Sequence, residues 1–142
     1  MDQATHAALN FPLTRIAARY QQMYGVSAHD VARHERELKR YLILRSRHRA
    51  ATLPTPRVVD QLWHVFLLYT RDYMEFCDLL GGGFIHHVPA ESSPPIEELT
   101  ERYREMLDQY EELFRESPPS DVWPTLDAAA QFGDCDSAIE PV

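Results

Sequence analysis

The chain has 142 residues, the length of one ordinary domain, and its 44% hydrophobic and 25% charged residues are typical of globular proteins. No apolar run approaches the ~20 residues that a membrane-spanning helix needs, and the first eleven residues do not resemble a signal peptide. The net charge of −8 disfavours general nucleic-acid binding, because an acidic protein repels phosphate groups. We therefore expect neither a membrane nor a nucleic acid as a partner.

The first half of the chain carries three predicted helices. The first is expected to begin near Asn10-Phe11-Pro12 and to end at Gly25. Ser27 is a good N-cap for the second helix, which the Pro-containing segment 53–56 interrupts. Thr55 is expected to cap the third helix, with Pro56 in its first position and an end near Tyr69.

Two more helices are predicted in the second half. Thr70 is expected to cap the first of them, which runs from Arg71 to about Leu80, where Gly81-Gly82-Gly83 ends regular structure and permits positive φ angles. The other, the clearest amphipathic helix, runs from Ile96 to Glu116, and Val122-Trp123-Pro124 is expected to pack an aromatic ring back onto the core. We predict an all-α, compact single-domain bundle of about five helices with a Gly-rich loop after the fourth, formed by residues 1–124. Residues 125–142 are expected to be a poorly ordered C-terminal tail.

Charge is unevenly distributed along the chain. Residues 1–90 hold 11 Lys/Arg and 8 Asp/Glu, whereas residues 91–142 hold 3 and 14. The most basic part is the stretch from Arg33 to Arg49, with seven Lys/Arg and two His against two Glu. This basic helix is expected to dock an anionic protein partner, or else to be a solvated face paired with the acidic C-terminal half. The sequence does not indicate the oligomeric state.

Two cysteines, Cys77 and Cys135, are too few for a disulfide scaffold. Because the chain shows no export signal either, we expect a cytoplasmic protein with reduced thiols.

Residues 60–89 concentrate the side chains that bind metals or react. Asp60 and His64 are four residues apart on one predicted helix and therefore share a face, and Tyr73 and Cys77 share a face of the next. After the glycines, the chain returns with His86 and His87, which cannot both point inward if this segment is extended. Imidazole, thiolate and carboxylate are ligands of zinc, and a mixed set also admits iron or copper.

Several interpretations of these residues stay open at this point. The spacing matches no standard zinc motif, and a buried cysteine is commonly a small apolar core residue. Asp60 and His64 alone form an orienting hydrogen-bonded pair. Cys77, His64 and Asp60 as nucleophile, base and orienting group are less favoured, because burial raises a thiol pKa.

Taken together, these residues resemble a known family, the glycine-rich domain-containing protein-like family, long catalogued as a domain of unknown function. The matching elements are Asp60-Gln61-Leu62-Trp63-His64, Tyr73-Met74-Glu75-Phe76-Cys77 and His86-His87-Val88-Pro89, followed by Tyr110-Glu111-Glu112-Leu113-Phe114 and Val122-Trp123-Pro124. The resemblance covers roughly residues 38–124. It implies that the Trp-His, Cys and His-His elements occur together, which favours a polar or metal site. Plant members have glycine-rich tails and roles in stress and development, but this chain has only the glycine triplet.

The sequence therefore predicts a small metal-binding helical protein, with zinc as the default ion and iron or copper as alternatives. Its expected ligands are His64 and Cys77, one of His86 and His87, and Asp60 as a fourth ligand or an orienting residue. One alternative is an enzyme that uses the same site for metal-assisted hydrolysis or redox chemistry. Another is a metal-free interaction module that binds partners through the basic helix or through the acidic helix near residues 97–116.

Overall fold

The structure is a computed structural model that describes residues 1–48, 53–87 and 95–125. Every regular element in these residues is an α-helix, so the all-α prediction is confirmed. There are six such helices: α1 (Gln3–Leu9), α2 (Thr14–Tyr24), α3 (Ala28–Ser46), α4 (Arg57–Leu67), α5 (Thr70–Leu80) and α6 (Ile96–Phe114). The predicted disordered tail lies, except for its first residue, outside the described residues, as does Cys135.

Helix α1 is not among the helices predicted from the sequence. It is only seven residues long, too short for a clear hydrophobic period, but a local cap and burial stabilise it. The Asp2 carboxylate accepts a hydrogen bond of 2.8 Å from the backbone N–H of Thr5, and both Thr5 and Ala8 are buried. As a result, the glycine-rich loop follows the fifth helix rather than the fourth.

The ends of α2, α3 and α4 show which local signals decided the boundaries. Gly25 ends α2 with a φ of +64°, and the Ser27 side chain accepts from the backbone N–H of Asp30 at 3.1 Å, both as predicted. Thr55 does not cap α4, because its hydroxyl instead pairs with the Tyr41 hydroxyl at 2.8 Å in the core. Pro56 takes the capping position, and α4 begins at Arg57.

Helix α3 is the scaffold of the bundle, since it contacts α1, α2, α4 and α6. Helix α4 packs between α2, α3 and α5, and α5 packs in turn against α1. The side chains of α4 that are buried include Val59, Leu62, Trp63 and Phe66, so this helix has most of its surface inside the protein. No helix in the described residues is both long and apolar enough to cross a membrane.

The segment after α6 returns to the core, as predicted from Val122-Trp123-Pro124. Trp123 is 2% exposed, and its indole N–H donates to a carboxylate oxygen of Glu37 at 3.0 Å. The same oxygen accepts from the Tyr110 hydroxyl at 2.7 Å. The fully buried Glu37 of α3 therefore joins α6 and the C-terminal segment to the centre of the bundle.

A second polar contact in the bundle makes its stability depend on pH. His34 Nδ1 lies 2.8 Å from the Tyr20 hydroxyl, and burial lowers the pKa of His34 below its usual 6.5 despite the nearby Asp30. The unfolded chain therefore binds more protons than the folded protein just below pH 6.5, and the free energy of unfolding falls on acidification. Urea unfolding at pH 7.5 and 5.5 should show a smaller loss for His34→Gln than for the wild type. Equal losses in both proteins would contradict this assignment.

Candidate metal centre

Helix α4 supplies the first two residues of the centre. Asp60 and His64 are one turn apart, and His64 Nε2 lies 3.3 Å from Asp60 Oδ1. Asp60 is buried and the His64 side chain is 19% exposed, so the pair sits at the edge of the core rather than on the open surface.

The chain after α5 supplies the third residue. Gly81, Gly82 and Gly83 have φ angles of +71°, +74° and +85°, a left-handed run that is strained for other residues and that turns the chain back toward α4. In the segment that follows, Ile85 is buried and His87 points inward, whereas Phe84 and His86 are exposed. This alternation is the one that an extended segment requires.

A buried hydrogen-bond chain holds this returning segment in place. The Trp63 indole N–H donates to the Tyr73 hydroxyl at 3.1 Å, and the Tyr73 hydroxyl donates to the carbonyl of Ile85. The Trp63 ring also packs against His87, with 4.3 Å between the ring centroids. Tyr73 therefore links α4 to the segment that carries His87.

Removing the Tyr73 hydroxyl tests this link. Tyr73→Phe leaves the buried Trp63 N–H and Ile85 carbonyl without this partner, so we expect a loss of about 1–3 kcal/mol in the free energy of unfolding. Denaturant titration measures it. The matched change Tyr24→Phe, at a 41% exposed ring, is the control and should be close to neutral. A Tyr73→Phe variant as stable as the wild type would show that the hydroxyl does not hold the segment.

The three side chains bring their ligand atoms to one point. His87 Nε2 lies 2.6 Å from Asp60 Oδ1 and 3.0 Å from His64 Nε2, which with the 3.3 Å contact closes a triangle. Among the described residues, these are the His, Cys, Asp and Glu side chains that form a group able to hold a metal ion. Atoms bound ~2.0–2.1 Å from one ion lie about 2.8–3.4 Å apart in octahedral or tetrahedral sites. Only the edge of 2.6 Å falls below that range, by about 0.2 Å.

Hydrogen bonds alone do not account for all three contacts of this triangle. A neutral imidazole nitrogen either carries a proton or accepts one, so the Nε2 atom of His87 cannot donate to Asp60 and accept from His64 at once. If the His87 N–H is shared between both neighbours, the unprotonated His64 Nε2 faces the Asp60 carboxylate oxygen at 3.3 Å. If both Nε2 atoms carry protons, the two N–H groups face each other at 3.0 Å between nitrogens. A single cation at the centre would use all three lone pairs together. Burial lowers the pKa of His64, opposed by Asp60 and reinforced by His87, which keeps that ring in the neutral form that metals require.

Cys77 and His86, the other two residues predicted as ligands, do not join this group. Cys77 is fully buried on the face of α5 that also buries Tyr73 and Phe76. The Cys77 thiol lies beside the Tyr73 hydroxyl. It adds to the rise in the Tyr73 pKa that burial causes. His86 is exposed.

The basic helix predicted as a partner surface is extensively paired within the chain. Arg33 binds Asp121 at 2.7 Å and Asp30 at 3.1 Å, and Arg40 binds Glu116 at 2.8 Å. Arg36 and Lys39 likewise pair with Glu37 and Glu35. Asp121 and Glu116 belong to the acidic half of the chain. None of these contacts tests whether a partner binds, so the partner stays a prediction.

The fold and this cluster define a small all-α protein with two histidines and one aspartate converging at the edge of its core. The chain belongs to the UCP032817-like family, whose model matches residues 4–108. The family is uncharacterised, which agrees with the predicted domain of unknown function, whereas the glycine-rich family name and its motif are not confirmed by this match. No curated protein matches the chain, and neither does any solved structure.

Proposed function

We propose that this protein binds one divalent metal ion through Asp60, His64 and His87, with zinc as the default ion. The observation that carries the proposal is the triangle of ligand atoms with edges of 2.6, 3.0 and 3.3 Å. Two imidazoles and one carboxylate are a donor set that zinc accepts, and the same set suits iron(II).

The surroundings favour a preorganised binding site over a chance cluster of surface side chains. The side chains of Asp60 and His87 are only 10% and 8% exposed, so both are fixed by packing rather than by solvent. Trp63 orients the His87 ring, and the helical spacing of Asp60 and His64 sets the other two atoms. Ligands held in this way lose little side-chain entropy when an ion binds.

Metal removal gives a direct test. Protein purified without chelator should contain about one metal ion per chain by elemental analysis. At a free-metal concentration near 100 times Kd, binding adds about 2.7 kcal/mol to the free energy of unfolding. For a chain of this size we therefore expect chelation to lower Tm by roughly 5–10 °C, and zinc to restore it.

Two results would contradict the proposal. One is a folded protein without stoichiometric metal that also fails to take up zinc, iron(II) or copper in a saturable titration. The other is a Tm that stays the same when chelator strips the metal from a loaded sample, because an ion that binds only the folded state must stabilise it.

A further inference from the structure

Counting only the described part of the chain, a metal ion at this centre has fewer protein ligands than zinc or iron(II) requires. Zinc takes at least four ligands, and a two-histidine, one-carboxylate face of an octahedral site leaves up to three positions. Within residues 1–48, 53–87 and 95–125, no fourth His, Cys, Asp or Glu joins the three ligand atoms. We propose that the bound ion keeps an exchangeable position that binds water or a small monodentate anion. This inference rests on the proposed function and extends it.

The packing indicates the side from which the exogenous ligand arrives. The Trp63 indole, itself 1% exposed, covers His87, whose side chain is 8% exposed. Asp60 is 10% exposed, and the His64 side chain, at 19%, is the most exposed of the three. The exchangeable position therefore lies beside His64, where solvent reaches the ring.

The charge of the centre selects the class of ligand. A divalent ion held by two neutral imidazoles and one carboxylate keeps a single net positive charge. An anion that binds through one atom, such as azide or a short carboxylate, neutralises that charge in a partly buried site, where electrostatic attraction is stronger than in water. A hydroxide formed from a bound water has the same charge and is smaller.

Cobalt(II) is a suitable probe, because its visible absorption changes with coordination number and ligand type. The full chain is loaded with one equivalent of cobalt(II) and titrated with sodium azide, and then separately with sodium acetate. We expect a saturable change in the visible spectrum with one azide bound per cobalt, and a similar but weaker change with acetate. His86→Ala, at an exposed ring outside the cluster, should give the same titration as the wild type.

The possible results separate this inference from the proposed function. A cobalt spectrum that neither anion changes would overturn the exchangeable position while leaving metal binding intact. Failure of the folded chain to bind cobalt, zinc or iron(II) would remove both. An azide response that survives in His87→Ala would also overturn the inference, because it would place the anion on cobalt bound elsewhere.

Discussion

His87→Ala is expected to abolish stoichiometric metal binding, whereas His86→Ala, one residue away, should leave it unchanged. His87 Nε2 contacts both other ligand atoms, at 2.6 and 3.0 Å, so its loss opens the whole triangle. Changes to residues that only support a ligand already cost ~10–100-fold in metal affinity, and loss of a ligand should exceed that range. Zinc titration by calorimetry measures the effect, and circular dichroism checks that each variant is folded.

His64→Ala and Asp60→Asn complete the comparison. The first removes a nitrogen ligand and the second replaces a charged oxygen by a neutral amide, so both should weaken binding by more than about 100-fold. If His86→Ala weakened metal binding equally, the ion would sit elsewhere in the segment 84–87.

Cys77→Ala separates the metal centre seen in the structure from the ligand set predicted by the sequence. The thiol lies in the core beside Tyr73, so its loss should lower the free energy of unfolding and leave the metal stoichiometry unchanged. A folded Cys77→Ala variant without metal would restore the thiol as a ligand.

The helices that could be predicted from the sequence are those long enough to show a helical repeat of apolar residues. The long helices α3 and α6 repeat apolar residues over several turns, and caps such as Ser27 and Gly25 mark ends by strictly local chemistry. Helix α1 has too few residues for a repeat. The prediction that Thr55 caps α4 is wrong because its hydroxyl pairs with Tyr41 in the core, a partner that the local sequence does not reveal.

The candidate site was visible in the sequence only in part, for a similar reason. The pair Asp60 and His64 follows from a four-residue helical spacing, which fixes their distance before the rest of the chain folds. His87 depends on how three glycines direct the chain back, and Cys77 depends on how α5 rotates against α1 and α4. Spacing alone does not fix either orientation. The one available signal was that Tyr73, Phe76 and Cys77 follow the three- and four-residue rhythm of a core stripe.

Glu37→Ala is expected to be among the most destabilising single changes outside the metal centre. The carboxylate is fully buried and accepts hydrogen bonds from the Tyr110 hydroxyl, the Trp123 indole and the Arg36 guanidinium. Truncation removes the hydrogen bonds to Tyr110 of α6 and Trp123 of the C-terminal segment, together with the contact to Arg36, and leaves a cavity. We expect a loss of about 3–5 kcal/mol in the free energy of unfolding, measured by urea titration with tryptophan fluorescence.

Two further variants show whether this loss comes from the buried hydrogen bonds. Glu37→Gln keeps an oxygen that accepts from Tyr110 and Trp123, so it should lose clearly less stability than Glu37→Ala. Glu101→Ala breaks an exposed ion pair with Arg104 and should change stability by no more than about 0.5 kcal/mol. If Glu37→Ala were as mild as Glu101→Ala, the carboxylate would not be what joins α6 and the C-terminal segment to α3. The tryptophan fluorescence of the folded variant would then stay native-like, because the packing of Trp123 would not depend on this hydrogen bond.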